Sequence, residues 1–290
     1  MSWRTVVISS SAKLDYQLGF LVIRQEKVTK IHLSEISNLI IESTAVSMTV
    51  ALLSELTKKK IKVIFCDEKR NPSSELIPYY GSHDTSAKIR KQIEWSGDIK
   101  AAVWTEIVSE KIRKQAEHLQ EYHCKEADML YDYLAEMQFG DSSNREGHAA
   151  KVYFNALFGM DFTRTAENSK NAALNYGYGI ILASFNREIV ANGYITQIGL
   201  FHGNMFNQFN LASDLMEPYR PLVDRLVKNM NPKKFEHEEK MEILSLLQKE
   251  VSLGGRKEYI NNAIGIYCRS IFDALNDRDV SLIKFYRNEL

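Results

Sequence analysis

Apolar residues run through the first 66 positions in short clusters rather than at helical spacing. Segments 4–9, 19–24, 27–33 and 38–42 are brief, rich in Val, Ile and Leu, and separated by polar breaks, which predicts strands. Residues 46–56 interrupt this pattern with MTVALLSEL, an amphipathic helix running into Lys58, Lys59 and Lys60. Cations there suit the negative end of a helix dipole. Residues 61–66 then read as a buried strand. Segment 67–87 gathers Pro72, Pro78, Gly81 and small polar residues and predicts a linker. Beyond it the apolar period becomes helical, over 103–119, 121–138, 149–158, 172–190, 219–230, 238–251 and 257–275. In the last of these Ile260, Ile264, Tyr267, Ile271 and Leu275 recur at spacings of three and four. The expected class is α+β, a small β-rich N-terminal domain (1–75), a linker with a first helix (76–100), and a larger all-α domain (101–290).

Length changes this picture little: 290 residues suit one large domain or two smaller ones. A hydrophobic content of 44% with 26% charged residues is that of a soluble globular chain. No apolar run reaches the roughly 18 residues of a membrane span, and the first residues lack the layout of a signal peptide. Cys66, Cys124 and Cys268 are isolated, which argues against a disulfide framework or a zinc site and predicts a cytoplasmic protein. The 37 basic and 37 acidic residues cancel, and this alone speaks against a nucleic-acid binder. Their distribution is uneven, however. Residues 1–100 carry 15 basic against 11 acidic groups, so a basic face is open to the chain.

No nucleophile elbow, phosphate loop or HExxH motif is present. Ser143 and Glu146 have capping-box spacing, the reading that spacing alone favours, and the functional alternative makes Glu146 a metal ligand at the mouth of a helix. His202, in GLFHGN, sits in a break between helices as a loop histidine or a ligand. Asp214 and Glu217 share one helix face or turn, and Asp214 could instead cap a helix starting near Pro218. Two acids and one imidazole suit Mg2+ or Mn2+, with water completing the coordination. Gly177 and Gly179, in NYGYG, are read as sites of close backbone packing.

In order, SNREGHAAKVYFNALFG, LNYGYGIIL, FHGN and ASDLMEPYRPLVD resemble the first-numbered CRISPR-associated protein family, the catalytic integrase and endonuclease of CRISPR adaptation. WRTVVI, VIFCD and IPYYGSHD resemble its type II-A branch. The resemblance implies a metal held by Glu146, His202 and Glu217, the last being aspartate in many relatives, with Asp214 at a further acidic position beside the site. It implies a Mg2+- or Mn2+-dependent enzyme of antiviral defence. Such an enzyme inserts captured DNA fragments into a repeat array by 3′-hydroxyl transesterification, or hydrolyses DNA when water attacks. It also implies a homodimer joined to a small second CRISPR-associated subunit in a heterohexamer, with no membrane. Lys88, Arg90 and Lys91 are candidate DNA contacts, as are Lys58, Lys59 and Lys60. A stand-alone metal-dependent nuclease and a non-enzymatic helical DNA-binding scaffold remain the alternatives.

Overall fold

The computed structural model describes residues 4–68, 70–78 and 82–287. Trp3 of WRTVVI and residues 79–81 of IPYYGSHD lie outside the described residues. The N-terminal part folds as β1 (Arg4–Ile8), β2 (Ala12–Gln17), β3 (Phe20–Arg24), β4 (Val28–His32), β5 (Ile36–Ile41), β6 (Val46–Met48), α1 (Val50–Lys58), β7 (Lys62–Cys66) and β8 (Pro72–Leu76). One sheet runs β1-β5-β7-β8, its first three strands parallel and β8 antiparallel. The other runs β4-β3-β2-β6.

Three details differ from the pattern-based expectation, each for a local reason. β2 offers Ala12 and Leu14 to the core with Tyr16 packed half-buried against it, a short alternation that announces a strand only weakly, and Leu18 and Gly19 at positive φ (47° and 88°) turn it tightly into β3. The helix expected over 46–56 starts later, because Thr49 accepts from the Leu52 amide at 3.3 Å and the residues before it pair with β2. β8 falls inside the expected linker. Pro72 is tolerated at its first position, since proline is confined to strand starts and edges.

β5 is buried along its whole length. Leu39 and Ile41 join Leu14, Leu21, Leu52 and Leu56 in the core between the two sheets, while Ile40 faces the helical body with Ile64 and Cys66. A parallel strand covered on both sides reads as a continuous apolar run, and ISNLII nearly does.

The remainder comprises α2 (Thr85–Glu94), α3 (Gly97–Glu121), α4 (Glu126–Ala135), α5 (Arg145–Phe158), α6 (Ser169–Ala191), α7 (Asn210–Leu215), α8 (Arg220–Met230), α9 (His237–Ser245), β9 (Glu250–Leu253), β10 (Arg256–Tyr259) and α10 (Ile260–Asp277). The fold is α+β, and its C-terminal body is helical apart from the β9–β10 hairpin. That hairpin corrects the uninterrupted helices expected over 238–251 and 257–275. Gly254 and Gly255 both take positive φ (62° and 76°), the pair a two-residue hairpin turn demands.

α3 and α6 form the centre. α6 is buried nearly all round, as a helix enclosed by others must be. Its Gly177 lets α8 approach so closely that a Cβ there would overlap Cγ1 of Val223. Gly177→Ala should therefore destabilise the protein by about 1–3 kcal/mol through overpacking, read as a lower urea midpoint at unchanged slope. The same substitution in a Val223→Ala background should cost less. Equal costs in both backgrounds would mean that this contact is not the reason for the glycine.

Candidate active site

α5 begins just after Asn144, which takes left-handed dihedrals (φ 53°, ψ 44°) and makes no side-chain cap. Asp141 serves the first turn instead: Oδ1 accepts from the Arg145 amide at 2.7 Å and Oδ2 from the Glu146 amide at 3.1 Å. The Ser143–Glu146 capping box is thus not formed, and the Ser143 hydroxyl is buried without a partner. A closer acceptor two residues earlier wins the amides. Glu146 is left free to reach α3, where it accepts from Lys111 Nζ at 2.6 Å.

Glu217 opens a 3-10 turn, Glu217–Tyr219, between α7 and α8. Its Oε2 accepts from the same Lys111 Nζ at 2.5 Å, and its Oε1 from Arg220 Nε at 2.8 Å. Burial pushes the Glu217 carboxyl up, but Arg220 and Lys111 together outweigh it and hold the group below its ordinary value. Burial likewise works against the Lys111 ammonium, yet Glu217 and Glu146 raise its pKa overall.

Asp214 does not cap a helix at Pro218. It sits fully buried in the last turn of α7 and accepts four bonds from one loop. The amides of Leu200, Phe201 and His202 donate to it at 2.6, 3.1 and 3.2 Å, and Nδ1 of His202 lies 2.5 Å from Oδ1. Three successive amides wrapped on one carboxylate form an anion nest. Gly199 permits it, because a Cβ there would overlap both the His202 carbonyl oxygen and the Asp214 carboxylate. Trp104 of α3 braces the loop from below, stacked on Phe201 with ring centres 4.7 Å apart. With Nδ1 committed to Asp214, Nε2 is the nitrogen that His202 can offer elsewhere. The Asp214 hydrogen bond raises the His202 pKa against the effect of burial, and the charges of Asp214, Glu217 and Glu146 add to it.

The structure thus brings Glu146 and Glu217 to one cation and sets His202 within reach of their charge. Among the described residues, no three His, Cys, Asp or Glu side chains converge closely enough to hold an ion as they stand. Lys111 occupies the space between the two glutamates. On α2, Arg90 and Lys91 are exposed, whereas Lys88 is half-buried, 3.9 Å from Asp84 and lying over the Tyr194 ring. Gln92 clamps α2 to the segment that leads into the His202 loop. Its amide donates to the Ile195 and Ile198 carbonyls at 2.9 and 3.0 Å, and its oxygen accepts from the Ile195 amide at 3.0 Å. Lys58 pairs with Glu55 at 2.7 Å, and Lys60 donates to the Ala191 carbonyl at 3.3 Å.

Residues 5–262 match the family model described as CRISPR associated protein Cas1. The chain belongs to the Cas1 family. It is 37% identical over 229 residues to the CRISPR-associated endonuclease Cas1 of Neisseria meningitidis serogroup C (strain 8013), covering 78% of this chain and 75% of that one. Its fold is similar to that of a casposase bound to integration product (TM-score 0.78, 18% identity, 96% of this chain and 91% of that one). It is also similar to a chain of a Cas6-RT-Cas1–Cas2 complex (TM-score 0.76, 18% identity), spanning 99% of this chain and 36% of that longer one.

Sequence patterning missed Lys111, Arg220 and Asp141 at this Cas1 site. For Lys111 a signal was present. It follows Trp104, Ile107 and Val108 and precedes Ile112, Gln115 and Leu119 on one stripe of α3, and a lysine on an apolar stripe needs a buried partner.

The Asp214 bond also makes a pH statement. A histidine whose folded pKa is raised adds stability that is present below its unfolded value of about 6.5. That stability is lost as pH rises through the raised folded value. Asp214→Asn should lower the His202 pKa, followed by NMR titration of the ring, and should shrink the gain in stability on the acid side. An unchanged His202 titration would assign the shift to some other group.

Proposed function

We propose that Glu146, His202 and Glu217 hold one Mg2+ or Mn2+ ion, at which this Cas1 endonuclease and integrase carries out spacer insertion in CRISPR adaptation. The observation that carries this is the meeting of Glu146 and Glu217, 71 positions apart in sequence, at one buried cation, beside an imidazole whose Nδ1 is already committed. Two carboxylates and a neutral imidazole nitrogen are the donor chemistry of such a site. The residues fit the ion once the ammonium between the acids yields.

The ion, when bound, polarises the phosphate and stabilises the charge developing on its oxygens. The chain's own groups do the rest. Asp214 holds His202 in the tautomer and orientation that present Nε2. Arg220 keeps Glu217 ionised and fixed in place by its bond to Oε1. The reaction joins the 3′-hydroxyl oxygen of a captured fragment to phosphorus at a repeat edge as the bond to the old 3′-oxygen breaks. Water in place of the hydroxyl gives hydrolysis at the same site.

DNA and the small second CRISPR-associated subunit are the partners we assign, in a heterohexamer of two homodimers flanking a dimer of the small subunit. Arg90 and Lys91 are exposed, as are Lys58, Lys59 and Lys60, and with the half-buried Lys88 they are the proposed DNA contacts. The WRTVVI, VIFCD and IPYYGSHD motifs support the type II-A branch. The three cysteines are unpaired and suit the cytoplasm. No helix among the described residues is long and apolar enough to cross a membrane.

His202→Ala and Glu217→Gln should each cut strand transfer and nuclease activity together, by about 100-fold or more, since both reactions share the charged transition state. Affinity for DNA at one fixed salt concentration should change by only a few-fold, because phosphate contacts dominate it. Gel-based integration into a repeat-bearing plasmid, DNA titration and circular dichroism test this. Full integration by a folded His202→Ala protein would remove His202 from the mechanism. Cleavage without strand joining by the wild type, supplied with its partner subunit, would favour a stand-alone nuclease.

A further inference from the structure

Lys111 is buried, bridges both glutamates, and stands where the proposed ion would have to share their oxygens. An ammonium and a divalent cation in contact repel strongly in a poorly solvated site, so both cannot remain. The question is where the ammonium goes.

A cavity of about 260 Å³ answers it. Lys111, Gln115, Glu217, Asp224 and the guanidinium groups of Arg164 and Arg220 line it. Asp224 is almost fully buried. Its Oδ1 accepts from the Tyr178 hydroxyl, while Oδ2 has no well-aligned hydrogen bond and interacts with the Tyr153 hydroxyl only loosely. Tyr153 lies near, with its hydroxyl 2.7 Å from Nδ1 of His118. The Gln115 oxygen, one helical turn beyond Lys111, is likewise buried without a donor. Buried acceptors are ordinarily satisfied, so two under-bonded ones on residues that line the same cavity as Lys111 mark a place where a small side-chain shift would receive a cation.

We propose that Lys111 is a two-position counter-ion, holding Glu146 and Glu217 together before metal binds and moving to Asp224 Oδ2 and Gln115 Oε1 when the metal takes its place. The first position keeps two buried acids from repelling each other, so the site is built in advance. The second keeps the ammonium itself from being stranded without a partner. Metal affinity then depends on Asp224, a residue that never touches the ion. This inference rests on the metal reading proposed above.

The test uses the full-length protein without DNA and Mn2+ as the probe, with affinity from calorimetry or electron paramagnetic resonance and thermal unfolding with and without Mn2+. Lys111→Met should lower the metal-free unfolding temperature, since the glutamates lose their counter-ion, yet bind Mn2+ on the order of tenfold more tightly because nothing must be displaced. Asp224→Asn should bind Mn2+ several-fold more weakly, and the double variant should bind like Lys111→Met alone, a non-additive cycle. Should Lys111→Met not fold, Lys111→Arg and Asp224→Asn still decide, because a guanidinium bridging both acids is harder to displace and should weaken Mn2+ binding. Weaker or unchanged binding in Lys111→Met, or wild-type affinity in Asp224→Asn, would overturn the proposal. Glu217→Gln separates the two readings. If it abolishes Mn2+ binding while the Lys111 and Asp224 variants bind like wild type, only the two-position lysine fails. If the wild type binds no Mn2+, the metal site and the switch fall together.

Discussion

Four ionised groups meet where α3 passes the Glu217 turn, and their mutual neutralisation is the constraint on which the site depends. Glu146 and Glu217 are drawn from different helical contexts, and Lys111 and Arg220 answer them. A lone charge in such a place would cost several kcal/mol, so each member is tolerated only because the others arrive. The set fixes how α5 lies against α3 and how the α7–α8 junction turns. The charges here do not reward the fold so much as forbid alternatives to it.

Around that centre the remaining polar groups are placed by backbone needs. Asp141 takes the first amides of α5, which frees Glu146 from capping. Asp214 takes three loop amides and so turns the histidine. Trp104 and Lys111, two turns apart on α3, support the histidine loop and the glutamates from a single helix face. The order is hierarchical: helix packing positions α3, α3 positions the supports, and the supports position the chemistry.

Much of this was legible in the residues. The parallel strands and long helices declared themselves because their apolar periods are set by burial. β2 did not, since its alternation of Ala12, Leu14 and Tyr16 is short and begins on a weakly apolar residue. The β9–β10 hairpin was hidden by helical periods on both sides, although Gly254 and Gly255 marked it. For the site, Glu146, His202 and Glu217 stood out through motif order rather than through spacing, because contacts between residues on separate elements leave no local pattern. Ser143 had the right spacing for a cap and lost to Asp141, a competition that only three-dimensional proximity decides. Lys111 was visible only as an anomaly, a charge on an apolar stripe whose partners lay elsewhere in the chain.

The Gln92 clamp has a mechanical consequence. A side-chain amide that spends both its donor and its acceptor on one backbone segment behaves as a rivet, not a hinge. α2 and the stretch from Ile195 to Ile198 therefore move as one piece, and that piece ends a few residues short of His202. A polyanion pulling on the outward-facing cations of α2 would load the footing of the histidine loop through the Gln92 bonds and the Lys88–Tyr194 contact.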